Sequence, residues 1–337
     1  MGDRDEHETV TVNTEAVLVG LAALCTTAVA VPICIVIARR TGIMDRPGPL
    51  KPHGTPVPYL GGIAVFSGVA IGASAGRPVV LFPLSAALAV GVIDDRFDLP
   101  APIRLLAQLG VGGVIAATQP VHLPGWCGIP LVIAATVILI NGFNLIDGLD
   151  MLAAGVGTAA AAGFTIILHG SGRLMAASLT GALIAFLWFN RPPARIYLGD
   201  GGSYLLGAAM AVLLARSWGV GVADPIGVTA LALQAVAVAE VACAIVRRHR
   251  SGRSLLAGDR GHPYDRLVAN GWSRTAASGT YIAIEVAVAV AVVAVAVGHA
   301  TMTTAVTLDI AVSVVVLGAG ALAGGMARLP EQPGTGS

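Results

Sequence analysis

The chain has 337 residues, 55% hydrophobic and 12% charged, with a formal net charge of +1; its mean hydropathy is +0.81. A soluble domain of this length carries about a quarter charged residues, so a fully watered surface is excluded and the surplus apolar residues must face lipid. The small net charge provides no broad field for nucleic acid, and the four cysteines (Cys25, Cys34, Cys127, Cys243) show no spacing for a disulfide framework or zinc site.

In chain order, the acidic segment 1–15 has the wrong charge for a secretory leader, so the first apolar run is expected to remain as a membrane span. Apolar runs then predict an all-α, polytopic membrane helix bundle of about eleven transmembrane helices. They cover 16–38, 60–75, 79–93, 103–118, 129–146, 152–168, 174–189, 204–216, 226–246, 276–297 and 304–326. The domain plan is an extracytoplasmic tail at 1–15, one transmembrane catalytic domain at 16–327, and a cytoplasmic tail at 328–337. If the loop 39–59 lies inside, 16 of the 20 basic residues fall on that side. This bias places the N-terminus outside, the C-terminus in the cytoplasm, and the chain in the cytoplasmic (inner) membrane. The polar loops 39–59, 94–102, 141–151, 190–203 and 247–275 then all share the cytoplasmic face.

Each of those segments carries a polar cluster. The first holds Arg46, Lys51 (the only lysine) and His53 among closely spaced prolines. Such a stiff loop presents cations suited to a diphosphate; plain positive-inside charge is the alternative. Asp94 and Asp95 end the third span, with Asp98 close by. Adjacent carboxylates at a membrane boundary repel unless a cation intervenes, although Arg96 and Arg104 could offset them at a solvated helix end. Asn141, Asn144, Asp147 and Asp150 recur every third residue at the inner end of the fifth span. They suit a nucleotide or hydrated metal, or else an interhelical hydrogen-bond seam. Gly199-Asp200-Gly201-Gly202-Ser203 opens the eighth span. It allows close backbone approach and offers helix-start N–H groups to an anion; Asp200 as a simple cap is the alternative. The last large loop has seven arginines between Arg247 and Arg274, with Arg260 and His262 in its middle. Those charges fit anionic head groups or a substrate phosphate or sugar. Within the spans, charge is nearly confined to Glu240 and Glu285.

Together these motifs resemble the polyprenyl-phosphate N-acetylhexosamine-1-phosphate transferase family over about 42–275. Asp45 to Gly62 looks like the family's first cytoplasmic loop, and Gly91-Val-Ile-Asp94-Asp95 with Asp98 like its aspartate-rich motif. Asn141 to Asp150 is similar to its NxxNxxDGxDGL element, with Met151 where glycine is usual, and Gly199 to Ser203 resembles its GDxGS element. The first-loop pattern is similar to the UDP-N-acetylglucosamine users. A histidine-rich run common in the family is reduced here to His262, followed by Pro263, Tyr264 and Asp265.

The resemblance implies transfer of N-acetylglucosamine 1-phosphate from a UDP-sugar to a polyprenyl phosphate, releasing UMP, as a first membrane step of cell-envelope glycopolymer synthesis. Asp94, Asp95 and Asp200 are the expected catalytic residues. The expected metal ligands are Asp200, Asp147 and Asp94, around Mg2+ with Mn2+ as the alternative ion. Lys51, His53, Asn144, Asp147, Asp150, Arg260 and His262 are the expected substrate-binding residues. UDP-HexNAc, the prenyl lipid and the bilayer are the expected partners, with homodimer formation left open. A phospho-MurNAc-pentapeptide-type transferase is the alternative within the family. A lipid-linked-sugar or ion-coupled transporter is the alternative from another class, and a catalytically dead lipid-binding relative is a third reading.

Overall fold

A computed structural model describes residues 13–45, 56–119, 125–220, 225–252, 254, 261–298 and 301–325. The described chain is helical throughout, apart from a two-residue antiparallel pairing of β1 (Met44–Asp45) with β2 (Val57–Pro58). The helices are α1 (Thr14–Thr41), α2 (Gly61–Gly76), α3 (Leu81–Phe97), α4 (Ala101–Thr118), α5 (Gly125–Ile146), α6 (Leu152–Ile167) and α7 (Gly170–Asn190). They continue with α8 (Gly199–Ser217), α9 (Pro225–Ala232), α10 (Ala235–Arg250), α11 (Pro263–Ala269), α12 (Arg274–Val297) and α13 (Met302–Gly325).

Local chemistry sets the ends of several helices. At the start of α1, Asn13 Oδ1 accepts from Ala16 N; its last turn carries Arg39 and Arg40 against the negative end of the helix dipole, before Gly42 at φ 74°. α12 starts the same way, with Ser273 Oγ accepting from Ala276 N.

Every predicted apolar stretch is occupied by helix, but the number of membrane-length helices differs. Among the described residues, seven helices are long and apolar enough to cross a membrane, or eight if α9 and α10 count as one bent span. Part of the shortfall comes from length, and part from the 19-residue α8, which carries Asp200 and Arg216 and is not among the sufficiently apolar helices. At 1.5 Å per residue, α2 and α6 with 16 residues each reach about 24 Å, against a hydrocarbon layer of about 30 Å. The expected span 226–246 is not one rod; it bends by 57° between α9 and α10. A short helix, α11, also forms inside the segment expected to be only a loop.

α8 is the axis of the bundle, buried along nearly its whole length, and α6 and α7 are largely buried beside it. By contrast, α1, α4 and α13 turn large apolar side chains outward, including Leu18, Val29, Leu106 and Val314. An apolar exterior around a close-packed interior is the arrangement expected in lipid. The close approach of α3 to α8 depends on Gly91, where a Cβ would collide with the backbone of Asp200. This contact fixes the depth at which Asp200 sits relative to Asp94 and Asp95.

Candidate active site

The polar end of the bundle is assembled from α3, α4, α5 and α8. Asp94, in the last turn of α3, is 4% exposed. Its Oδ1 accepts from Leu99 N at 2.9 Å. Its Oδ2 accepts from Tyr204 Oη at 2.7 Å and Arg104 Nη1 at 3.3 Å. One carboxylate therefore ties α3 to α4 and α8. Its neighbour Asp95 points to the start of α8, where Oδ1 and Oδ2 accept from the backbone N–H groups of Asp200 and Gly201 at 3.0 and 3.1 Å. Leu198, the N-cap residue of α8, makes no side-chain cap, so Asp95 supplies the cap from another helix. Gly199 takes φ +73°, and a Cβ there would press on Asp95 Oδ2 and the Tyr59 carbonyl.

α5 approaches the same point. Asn144 Nδ2 donates to Asp200 Oδ1 at 2.7 Å and to Ser203 Oγ at 3.2 Å. Asp147 follows just beyond α5. Desolvation, then the nearby charges of Asp200, Asp95 and Asp150, hold its carboxyl well above the usual range. Four acids within electrostatic reach of one another is an arrangement that attracts a cation. Among the described residues, however, no three His, Cys, Asp or Glu side chains are disposed to enclose a metal ion by themselves.

A cavity of about 560 Å³ opens beside this cluster. Asn144, Asp147, Arg104, Tyr204, Arg248 and His262 form its polar wall. Leu105, Val137, Ile138 and Ile245 add apolar surface to its lining. It can therefore receive a molecule with a charged head and an apolar tail.

A profile for glycosyl transferase family 4 matches residues 78–217, the stretch from the turn before α3 to the end of α8. A Bacillus subtilis (strain 168) protein named "Probable undecaprenyl-phosphate N-acetylglucosaminyl 1-phosphate transferase" is 30% identical over 276 residues, covering 75% of this chain and 77% of its own length. The decaprenyl-phosphate N-acetylglucosaminephosphotransferase of Mycolicibacterium smegmatis is 32% identical, covering 78% of each chain. The undecaprenyl-phosphate alpha-N-acetylglucosaminyl 1-phosphate transferase of Yersinia pestis is 29% identical, covering 80% of each. The chain belongs to glycosyl transferase family 4. It is thus a phosphotransferase of the kind its motifs resemble.

In this family 4 enzyme, Asn144, Asp147 and Asp200 are brought together as the sequence suggested. Two other expectations change. Asp94 was expected at the metal, but its two oxygens already serve three donors, one of them a guanidinium. The start of α8 was expected to offer N–H groups to an anion, but Asp95 occupies those of Asp200 and Gly201.

Neither Asp150 nor Asp200 lines the cavity, but Asp200 is held against the lining residue Asn144 whereas Asp150 is drawn into the scaffold. Its Oδ2 accepts from Ala194 N at 3.1 Å, and its carbonyl accepts from Ser278 Oγ at 2.9 Å. Beside it, Met151 adopts φ 67°, which accounts for the glycine usual at this position in similar sequences; Asn190 Oδ1 holds its N–H at 2.8 Å. Lys51, His53 and Arg260 lie outside the described residues.

Tyr204 and Arg248 were not anticipated. Tyr204 had a usable signal, since it stands four residues after Asp200, one turn along the same helix face. Arg248 was hidden in a basic run that positive-inside charge explains equally well.

Proposed function

We propose that this enzyme transfers N-acetylglucosamine 1-phosphate from UDP-N-acetylglucosamine to a polyprenyl phosphate, using Mg2+ held by Asp147 and Asp200. An oxygen of the lipid phosphate forms a bond to the β-phosphorus of the nucleotide sugar. The bond from that phosphorus to the bridging oxygen breaks, and UMP leaves with the electron pair. The observation that carries this reading is the cavity, in which acids, cations and an apolar wall meet. The relatives' names support the polyprenyl-phosphate acceptor and the N-acetylglucosaminyl phosphate group, and the first-loop pattern, similar to that of UDP-N-acetylglucosamine users, supports the UDP donor.

The donor set fits magnesium, which commonly takes one or two carboxylates and completes its shell with phosphate oxygens and water. When bound, the ion offsets charge on the two phosphorylated reactants. Asn144 orients Asp200 through the 2.7 Å hydrogen bond to its Oδ1. Arg104 and Arg248 border the cavity where phosphate would lie. Asp95 and Asp94 position rather than react, because backbone N–H groups occupy one and Arg104 and Tyr204 the other. A general base is unnecessary, since a phosphate monoester is already largely ionised at neutral pH.

We also place this end of the bundle in the cytoplasm, with the N-terminus outside. The α1 arginines Arg39 and Arg40 run into the β1–β2 pairing, whose Pro58 carbonyl accepts from Tyr197 N beside the start of α8. Arg248, at the end of α10, lines the cavity itself. Both basic helix ends therefore flank the site, as the positive-inside rule requires.

Purified protein given UDP-N-acetylglucosamine, decaprenyl phosphate and Mg2+ should release UMP and form the lipid diphospho-sugar in equal amounts. Chelation should stop both, and UDP-MurNAc-pentapeptide should be a poor donor. UMP release that is indifferent to chelation, or a preference for the pentapeptide donor, would contradict the proposal.

A further inference from the structure

Glu240 lies in the otherwise apolar first turns of α10 and is 2% exposed. A carboxyl group inside a membrane helix is costly and usually marks a function, yet Glu240 lines no part of the cavity. Its Oε1 sits 2.7 Å from Nδ1 of His262, itself 6% exposed. Tyr281, from α12, lies close to the same carboxyl group.

The His262 ring is held on its other sides as well. It stacks on Tyr264 at 5.3 Å between centroids, with the planes 5° apart. Tyr264 Oη in turn donates to the carbonyl of Leu145 at 2.9 Å, between Asn144 and Asp147. Asp265 Oδ2 accepts from the backbone N–H groups of Gly261 and His262 at 3.2 and 3.3 Å. The ring borders the cavity, and Nε2 has no hydrogen-bond partner among the described residues. A carboxylate on one ring nitrogen fixes the tautomer and orientation of a histidine and directs the other nitrogen outward.

We propose that Glu240 is a positioning residue that holds His262 so that its Nε2–H donates to a phosphate oxygen of the donor nucleotide. The carboxylate keeps Nδ1 protonated and balances the ring's charge when Nε2 also carries hydrogen. Arg104 and Arg248, which line the same cavity, favour an anionic group in that space. The pair explains why an acid is tolerated in α10, and it gives His262 a rigid mount.

The inference rests on the transfer reading above, and its test separates the two. Glu240→Ala should lower kcat/KM for UDP-N-acetylglucosamine by about 10- to 100-fold, mainly through KM. Glu240→Gln, which keeps an acceptor oxygen, should lose less. In a His262→Ala background, Glu240→Ala should add nothing, because a positioning residue has no effect without the group it positions. Competition by UMP should weaken in Glu240→Ala and Glu240→Gln, whereas competition by uridine, which has no phosphate, should not. Losses that multiply in the double variant, or equal weakening of UMP and uridine, would overturn the assignment. Glu240→Gln provides the same comparison if the alanine variant fails to fold. A wild-type protein that binds UMP but never releases it from UDP-sugars would refute the transfer reading and leave the Glu240 comparison intact.

Discussion

Asp200→Asn is expected to reduce transfer by about a thousandfold or more, the scale on which loss of a preorganised charge stabiliser acts, while the protein remains folded. The side chain has two separable roles. Its Oδ1 accepts from Asn144, a contact that an asparagine carbonyl oxygen can keep. Its charge contributes to the crowding that holds the Asp147 carboxyl above its usual range, and asparagine removes this. The cap on α8 survives, because Asp95 binds the backbone N–H of residue 200 rather than its side chain. The expected result is therefore a near-silent enzyme with an ordinary melting temperature in detergent. UMP release at a wild-type rate would remove Asp200 from the metal site.

The opposite profile is expected at Asp94. Asp94→Ala leaves the Tyr204 hydroxyl, the Leu99 N–H and the Arg104 guanidinium without their acceptor. Breaking a buried ion pair from one side costs about 3–5 kcal/mol; Arg104 is 31% exposed, so about 3 kcal/mol is the appropriate end of that range. The melting temperature should fall by several degrees, with activity declining along with the folded fraction. Tyr204→Phe should reproduce a smaller part of the loss, about 1 kcal/mol for one hydrogen bond to a charged group. If Asp94→Asn instead abolished activity at unchanged stability, Asp94 would belong at the metal, as the bare sequence had suggested.

The contrast between Asp94 and Asp95 shows where sequence reading stopped. Both were visible as costly acids at the end of an apolar run. Their separate tasks depend on Arg104, Tyr204 and the backbone of Asp200, which the fold brings from α4 and α8. Asn144, Asp147 and Asp200 could be grouped beforehand because each interrupts or borders an apolar stretch where polar residues are expensive. Helix positions were legible for the same reason. Span number was not, because 16-residue helices such as α2 and α6 are shorter than the membrane core although their composition suits it. The α9–α10 bend carries no proline or glycine between Leu231 and Val236; Gln234 is its only polar mark. Glu240 was visible as an anomaly, but its purpose required knowing that α11 places His262 against it.

Under the proposed mechanism Asp147 and Asp200 grip one divalent ion beside the nucleotide. Electron paramagnetic resonance titration of Mn2+ into the detergent-purified protein, with UMP present, tests it most directly. The wild type should take up one ion per chain, and Asp147→Asn and Asp200→Asn should each weaken that uptake at least about tenfold, with Asp94→Asn close to wild type. Equal Mn2+ affinity in the wild type and in the Asp147 and Asp200 variants would contradict it.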